Sequence, residues 1–213
     1  MISHPFDHHA LRAAALLATA LSILAVASVP LREPLYRGLA STADGMGPTG
    51  QAAVRLAAEK GLLLLLAVIA AVAVAAIRRG RDPFVLLVCA GLGTVTAYVS
   101  SEALKLLVQE QRPCRSPGID TVLTCPAAGD WSWPSNHATI AAGLGIACLI
   151  VAPRTWRVVV PLVVLIALAR VSGGVHYVHD VLSGMALGLT VTAATTLALC
   201  AVARRVQSSY GPA

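Results

Sequence analysis

A chain of 213 residues is long enough for one domain and short for two, and 57% of it is hydrophobic against only 12% charged, about half the roughly 25% charge of soluble domains. Together with a mean hydropathy of +0.76, this excludes a soluble enzyme, a disordered tail and a disulfide mini-scaffold, and indicates an all-α polytopic membrane protein. The net charge of +6 could suggest nucleic acid, but the cations punctuate apolar runs instead of clustering on a solvated face, so they are read as topology plus a small anionic substrate.

Apolar runs between charged breaks predict six spans, at about 13 to 31, 61 to 77, 84 to 104, 138 to 152, 158 to 172 and 181 to 203, which together form a single domain over 1–213. Segment 32 to 60, with Pro30, Pro34, Gly45, Gly47 and Pro48 in or beside it, reads as a turn-rich entry followed by an amphipathic stretch around Arg55, Glu59 and Lys60. Segment 105 to 137 is the second large non-spanning region.

Arg78, Arg79 and Arg81 follow span two, Arg154 and Arg157 follow span four, and Arg204 and Arg205 follow span six. These ends share one side, cytoplasmic by the positive-inside rule. An even number of spans puts both termini there and sends 32 to 60, 105 to 137 and 173 to 180 outside. A competing reading takes residues 1 to 27 as a cleaved signal peptide ending at Ala25-Val26-Ala27, against which stands the weakly basic start, with Asp7 and only Arg12. Cys114 and Cys125 lie in the outer segment, where an oxidising compartment would let them form a disulfide. Cys89, Cys148 and Cys200 fall within spans as small packing residues. No His or Cys neighbours sit beside Cys114 and Cys125 at ligand spacing, which argues against zinc.

Ionisable residues beside membrane spans are costly and point to function. Lys105 and Arg112-Pro113 are two helical turns apart, so both cations can project from one face, and with only Glu102 and Glu110 nearby in sequence they want an anion. Trp133-Pro134-Ser135-Asn136-His137 precedes span four and reads as a helix start, where free N–H groups, the Ser135 hydroxyl and the Asn136 amide suit an anion and His137 sits beside it. Trp131 and Trp133 fit the interfacial aromatic belt. Arg170 closes span five, Gly173-Gly174 turns the chain, and His176 and Asp180 are one helical turn apart. A carboxylate holding one imidazole nitrogen leaves the other as nucleophile or base. His179, next to Asp180, could replace His176 on these grounds alone. The three groups share one predicted membrane face and supply cations, helix-terminus donors and imidazoles, the requirements of in-line phosphoryl transfer.

Lys105-x6-Arg112-Pro113, Pro134-Ser135-Asn136-His137 and Arg170-x5-His176-x3-Asp180 resemble the three signature motifs of the type 2 phosphatidic acid phosphatase superfamily, K-x6-RP, PSGH and SR-x5-H-x3-D, in order and with internal spacings intact. Asn136 stands where the family has Gly, and Ala169 where it has Ser. The resemblance implies a six-helix membrane core with the site at the extracytoplasmic face. It implies that His176 attacks phosphorus, that Asp180 orients it, and that His137 protonates the leaving oxygen and then activates water. Lys105, Arg112, Ser135, Asn136 and Arg170 would hold the phosphoryl group. No metal or other cofactor is implied.

A site at the outer ends of the spans suits a lipid phosphate. Val108-Gln109-Glu110-Gln111-Arg112-Pro113 is similar to bacterial members acting on undecaprenyl diphosphate and phosphatidylglycerol phosphate. The expected function is hydrolysis of a polyprenyl diphosphate in the cell membrane, recycling the carrier lipid of envelope synthesis. The skew toward arginine, with lysine only at 60 and 105, hints at a GC-rich bacterium and a decaprenyl carrier. The alternatives are a phosphatidylglycerol phosphate or phosphatidate phosphatase, a prenyl-phospho-sugar phosphatase, a lipid-diphosphate phosphotransferase, and a non-enzymatic lipid-binding protein of the same fold. The expected partners are the bilayer and its lipid phosphate, without nucleic acid; a homo-oligomer is left open.

Overall fold

The structure, a computed structural model, describes residues 8–116 and 120–210. The amino-terminal residues on which the signal-peptide alternative partly rests, Asp7 among them, lie outside it. The described chain folds into α1 (His8–Ser28), α2 (Arg32–Asp44), α3 (Gly47–Arg79), α4 (Arg81–Val108), α5 (Asn136–Val151), α6 (Trp156–Ser172) and α7 (Val178–Tyr210), with single 3-10 turns at Pro113–Arg115 and Pro153–Thr155.

Each of the six expected spans corresponds to a helix, and local chemistry sets the ends. Pro30 interrupts the first run, and the chain bends by 97° between α1 and α2. Pro48 sits in the first turn of α3, where its missing N–H costs nothing. Gly80, at φ 116°, separates α3 from α4. Arg78 and Arg79 close α3, while Asp82 opens α4 and Lys105 lies in its last turn, each complementing the helix dipole.

By length and composition four helices among the described residues can cross a membrane (α3, α4, α6 and α7), or five if the bent α1–α2 pair is counted as one broken span. The expected span at α5 is too short to join them by this measure. Its 16 residues rise about 24 Å, less than a hydrocarbon core of roughly 30 Å. It is instead the central element, packed against α3, α4, α6 and α7, with 11 of its residues buried. Segment 32 to 60 also departs from expectation: α2 occupies its first half, and α3 starts at Gly47, so Arg55, Glu59 and Lys60 ride on the first turns of a long helix.

The core is built from Leu65, Val72, Leu144, Val159, Val163 and Ile166 at the α3–α5–α6 junction. Small residues bring α7 against its neighbours: a Cβ on Gly188 would overlap the carbonyl of Thr139, and one on Gly93 would fall 2.7 Å from the carbonyl oxygen of Thr192. Large apolar side chains such as Leu64, Val95 and Leu168 point outward, as lipid-facing residues do. Alternating helix direction gathers the end of α4, the start of α5, the end of α6 and the start of α7 at one end of the bundle, opposite the ends bearing Arg78, Arg79, Arg154 and Arg204.

Candidate active site

At that end the 109–135 segment folds back over the helices, with a disulfide joining Cys114 and Cys125. Its return is pinned by Ser132, whose N–H donates to the Glu110 carbonyl (2.8 Å), and by Ser135, whose N–H donates to the Asp180 carbonyl (3.0 Å). These bonds bring the three predicted groups together.

His176 is buried just ahead of α7. Its Nδ1 lies 3.3 Å from Asp180 Oδ2 and its Nε2 lies 3.0 Å from Arg112 Nη1. A guanidinium can only donate, so Nε2 carries the lone pair and Nδ1 the proton, which points toward Asp180. Burial, then the nearby charges of Arg112, Arg170 and Lys105, hold His176 well below the usual histidine range. It is therefore neutral, with an unprotonated Nε2 whose lone pair can act as a nucleophile once it exchanges the Arg112 contact for another electrophile. Asp180 Oδ2 also accepts from the backbone N–H of Tyr177 (2.8 Å) and from Ser132 Oγ, so the carboxylate fixes the start of α7 and the imidazole at once.

Arg112, 4% exposed, donates to the Val175 carbonyl (3.0 Å), the Asp130 carbonyl (2.8 Å) and Asp130 Oδ1 (2.8 Å). Lys105 reaches the same Oδ1 at 3.3 Å. The expectation that these two cations have no carboxylate nearby beyond Glu102 and Glu110 is corrected: Asp130 supplies one, because the outer segment turns back after Gly129. Burial alone would raise Asp130, but Arg112 and Lys105 together hold it below the ordinary aspartate value. His137, half-buried in the first turn of α5, lies within electrostatic reach of Arg170, Arg112 and Lys105. Of the buried atoms at the site, Ser135 Oγ, Arg170 Nε, His179 Nδ1 and Asp180 Oδ1 have no hydrogen-bond partner, and the first two are donors. A buried donor is normally met by protein, ordered water or a ligand.

The two departures from the family pattern find physical explanations. The Asn136 side chain turns toward α4, accepting from Ser101 Oγ at 2.7 Å and donating to Glu102, so only its backbone amide remains for the expected phosphate role. Ala169 packs with Ala58, Leu123 and Val175, where a hydroxyl would meet an apolar cluster.

Sequence reasoning missed Asp130, Ser132, Arg32 and the roles of Glu110 and His179. His179 Nε2 lies 3.1 Å from both Glu110 oxygens and 3.2 Å from Asp180 Oδ1. Glu110, His179 and Asp180 offer ligand atoms within 4.8 Å of one another, a set able to hold a cation, although His179 Nε2 already engages Glu110. Beside this cluster a cleft of about 720 Å³ opens between α1, α4 and α7; Leu104, Val108 and Leu187 form its walls, and Arg32, Glu110 and His179 its polar rim.

Residues 86–203, more than half of the chain, match the PAP2 superfamily. The chain is 34% identical over 158 residues to decaprenylphosphoryl-5-phosphoribose phosphatase of Mycobacterium tuberculosis, covering 73% of this chain and 78% of that protein. It is 34% identical over 95 residues to an undecaprenyl-diphosphatase of Sulfolobus acidocaldarius, covering 44% and 46%. The crystal structure of a transmembrane PAP2-type phosphatidylglycerolphosphate phosphatase from Bacillus subtilis superposes with a TM-score of 0.57 at 22% identity, over 85% of this chain and 93% of that one. With its three motifs assembled in one place and the family match running through all of them, this chain belongs to the PAP2 superfamily.

Proposed function

We propose that the protein is a membrane phosphatase that removes the terminal phosphate from a polyprenyl-linked phosphate, with polyprenyl diphosphate as the leading substrate. The carrying observation is the convergence around His176: an unprotonated Nε2 beside Arg112, with two unpartnered buried donors, Ser135 Oγ and Arg170 Nε. These groups match a tetrahedral dianion whose oxygens each need a donor. The cleft lined by Val108 and by Leu104, Pro134 and His179, which are next in sequence to Lys105, Ser135 and Asp180, offers the prenyl chain an apolar berth. The named activities of the Mycobacterium and Sulfolobus relatives support the same substrate class.

In the proposed reaction His176 Nε2 attacks phosphorus in line as the bond to the leaving oxygen breaks, and His137 gives that oxygen a proton. Asp180 accepts from Nδ1–H and stabilises the positive charge on the ring. Arg112, Lys105 and Arg170 neutralise the equatorial oxygens. Water then attacks the phosphohistidine and gives its proton to His137; the P–N bond breaks, and phosphate and the starting imidazole are regenerated. No step uses a metal. Six membrane crossings, cytoplasmic termini and an extracytoplasmic site complete the proposal, on the separation of the arginine-bearing helix ends from the site.

A second reading, a prenyl-phospho-sugar phosphatase, is favoured by one observation: the match to the Mycobacterium protein extends over 78% of it, against 46% of the diphosphatase. Phosphate release by purified protein from polyprenyl diphosphate, a prenyl-phospho-pentose phosphate, phosphatidylglycerol phosphate and phosphatidate separates these. Preference for either glycerolipid would overturn the polyprenyl assignment. Turnover dependent on an added acceptor would make the protein a phosphotransferase.

A further inference from the structure

His179 is the one histidine at the site with no part in the reaction above. It is 5% exposed, and its surroundings are more specific than packing requires. Tyr177 stacks on the ring at 5.4 Å with planes 13° apart. Nε2 meets both oxygens of Glu110 at 3.1 Å. The same atom lies 3.2 Å from Asp180 Oδ1, an ion-pair distance without hydrogen-bond alignment, and Oδ1 has no other partner. Arg32 in turn lies 3.5 Å from Glu110 and sits over the Tyr177 ring.

We propose that His179 is a positioning residue for the nucleophile: anchored by Glu110, it presents a positive N–H edge to Asp180 Oδ1 and so keeps Oδ2 turned toward His176 Nδ1. The division of the carboxylate makes the case. Oδ2 takes Ser132, the Tyr177 amide and His176; Oδ1 has only His179. A fully buried carboxylate with one bare oxygen is costly, and rotation about its side-chain bond would relieve that cost at the expense of the contact to His176. His179 also stands between two carboxylates, Glu110 and Asp180, whose direct confrontation would be repulsive. Because Glu110 and His179 line the rim of the lipid-facing cleft, the support for the nucleophile forms part of the wall a substrate's chain would pass.

The inference rests on the phosphohistidine reading, and its test separates the two. Undecaprenyl diphosphate in detergent micelles serves as substrate and orthovanadate as a mimic of the pentavalent phosphorus. His179→Ala is expected to lower kcat about ten- to a hundredfold, the scale of a small displacement of a reacting group, with KM within about twofold of wild type and the vanadate inhibition constant rising in parallel with the loss of kcat. His179→Gln, whose amide can still donate to both carboxylates, is expected to stay within about fivefold of wild type. If His179→Ala fails to fold, Glu110→Gln carries the test, with an expected fall in kcat of about three- to tenfold. Unchanged kcat in the folded variants of an active protein overturns the proposal alone. It also falls if Gln is no better than Ala and both lose thermal stability, which would mean packing. One equivalent of zinc bound by wild type and lost in His179→Ala would mean a metal site. No phosphate release by wild type from any lipid of the panel above overturns the phosphatase reading itself.

Discussion

Asp130 Oδ1 bridges Lys105 and Arg112, the cations that the proposed mechanism assigns to phosphate, so phosphate and this carboxylate compete for them. Asp130→Asn removes the charge and keeps the shape. Arg112 retains its bond to the Asp130 backbone carbonyl and its bond to Val175, so its placement survives. The Asp130 side chain is 47% exposed, so the solvent-screened end of the Coulomb range applies, about 0.5–1 kcal/mol for each cation. Two cations freed together strengthen anion binding by about 1–2 kcal/mol, roughly five- to thirtyfold in an inhibition constant. The assay is competitive inhibition of lipid phosphate hydrolysis by inorganic phosphate at fixed ionic strength, with wild type and variant compared. An inhibition constant that is unchanged or weaker in the variant refutes the reasoning, because it would mean that Asp130 orients the cations for phosphate instead of occupying them.

Replacing His176 with Ala should abolish turnover while vanadate-insensitive substrate binding persists in a detergent-solubilised sample; more than trace activity would transfer the nucleophile's part to His179. Since His176 is held well below 6.5 when folded, it stays neutral as pH falls through the range where an ordinary histidine protonates. The acid limb of kcat/KM should therefore lie below 6.5. The same shift means that the unfolded chain binds a proton there and the folded chain does not, so stability present above 6.5 is lost as pH falls through the window beneath it. A limb centred at 6.5 or above, measured with a non-titrating substrate analogue, would contradict this. Reduction of Cys114–Cys125, which closes a loop of sequence separation 11, should cost up to about 3 kcal/mol on a chain-entropy estimate. A thermal melt with and without reductant reads it, and superimposable curves would show that the bridge adds nothing.

The site was legible to the extent that its chemistry is written in short spacings. Lys105 and Arg112, Ser135 and His137, Arg170 and His176 with Asp180 all stand within seven residues of a partner, and periodicity places them at one end of the bundle. Asp130 and Ser132 were not legible, because they enter the site through a fold-back of an irregular segment whose contacts span tens of residues, and no period or spacing encodes such a return. His179 was visible but ambiguous: adjacency to Asp180 looks the same in sequence whether the ring faces the phosphate or, as here, Glu110. The helices were legible from hydropathy, but α3 began earlier than its apolar run because the helix continues through Arg55, Glu59 and Lys60, whose polarity hides it. The shortness of α5 is printed in the sequence; that it lies at the centre of the bundle is not, because burial among helices and burial in lipid demand the same apolar composition.

The central place of α5 bears on how the protein is made. A helix of 16 residues with so little outward surface is held by neighbours that precede and follow it in the chain, so its packing is complete only when α7 closes on it through Gly188 and Gly184. The proposed acid His137 rides on that helix, and His176 and Asp180 arrive with α7. On the proposed mechanism, a chain whose α7 has not yet docked would hold Lys105 and Arg112 without the nucleophile His176 beside them.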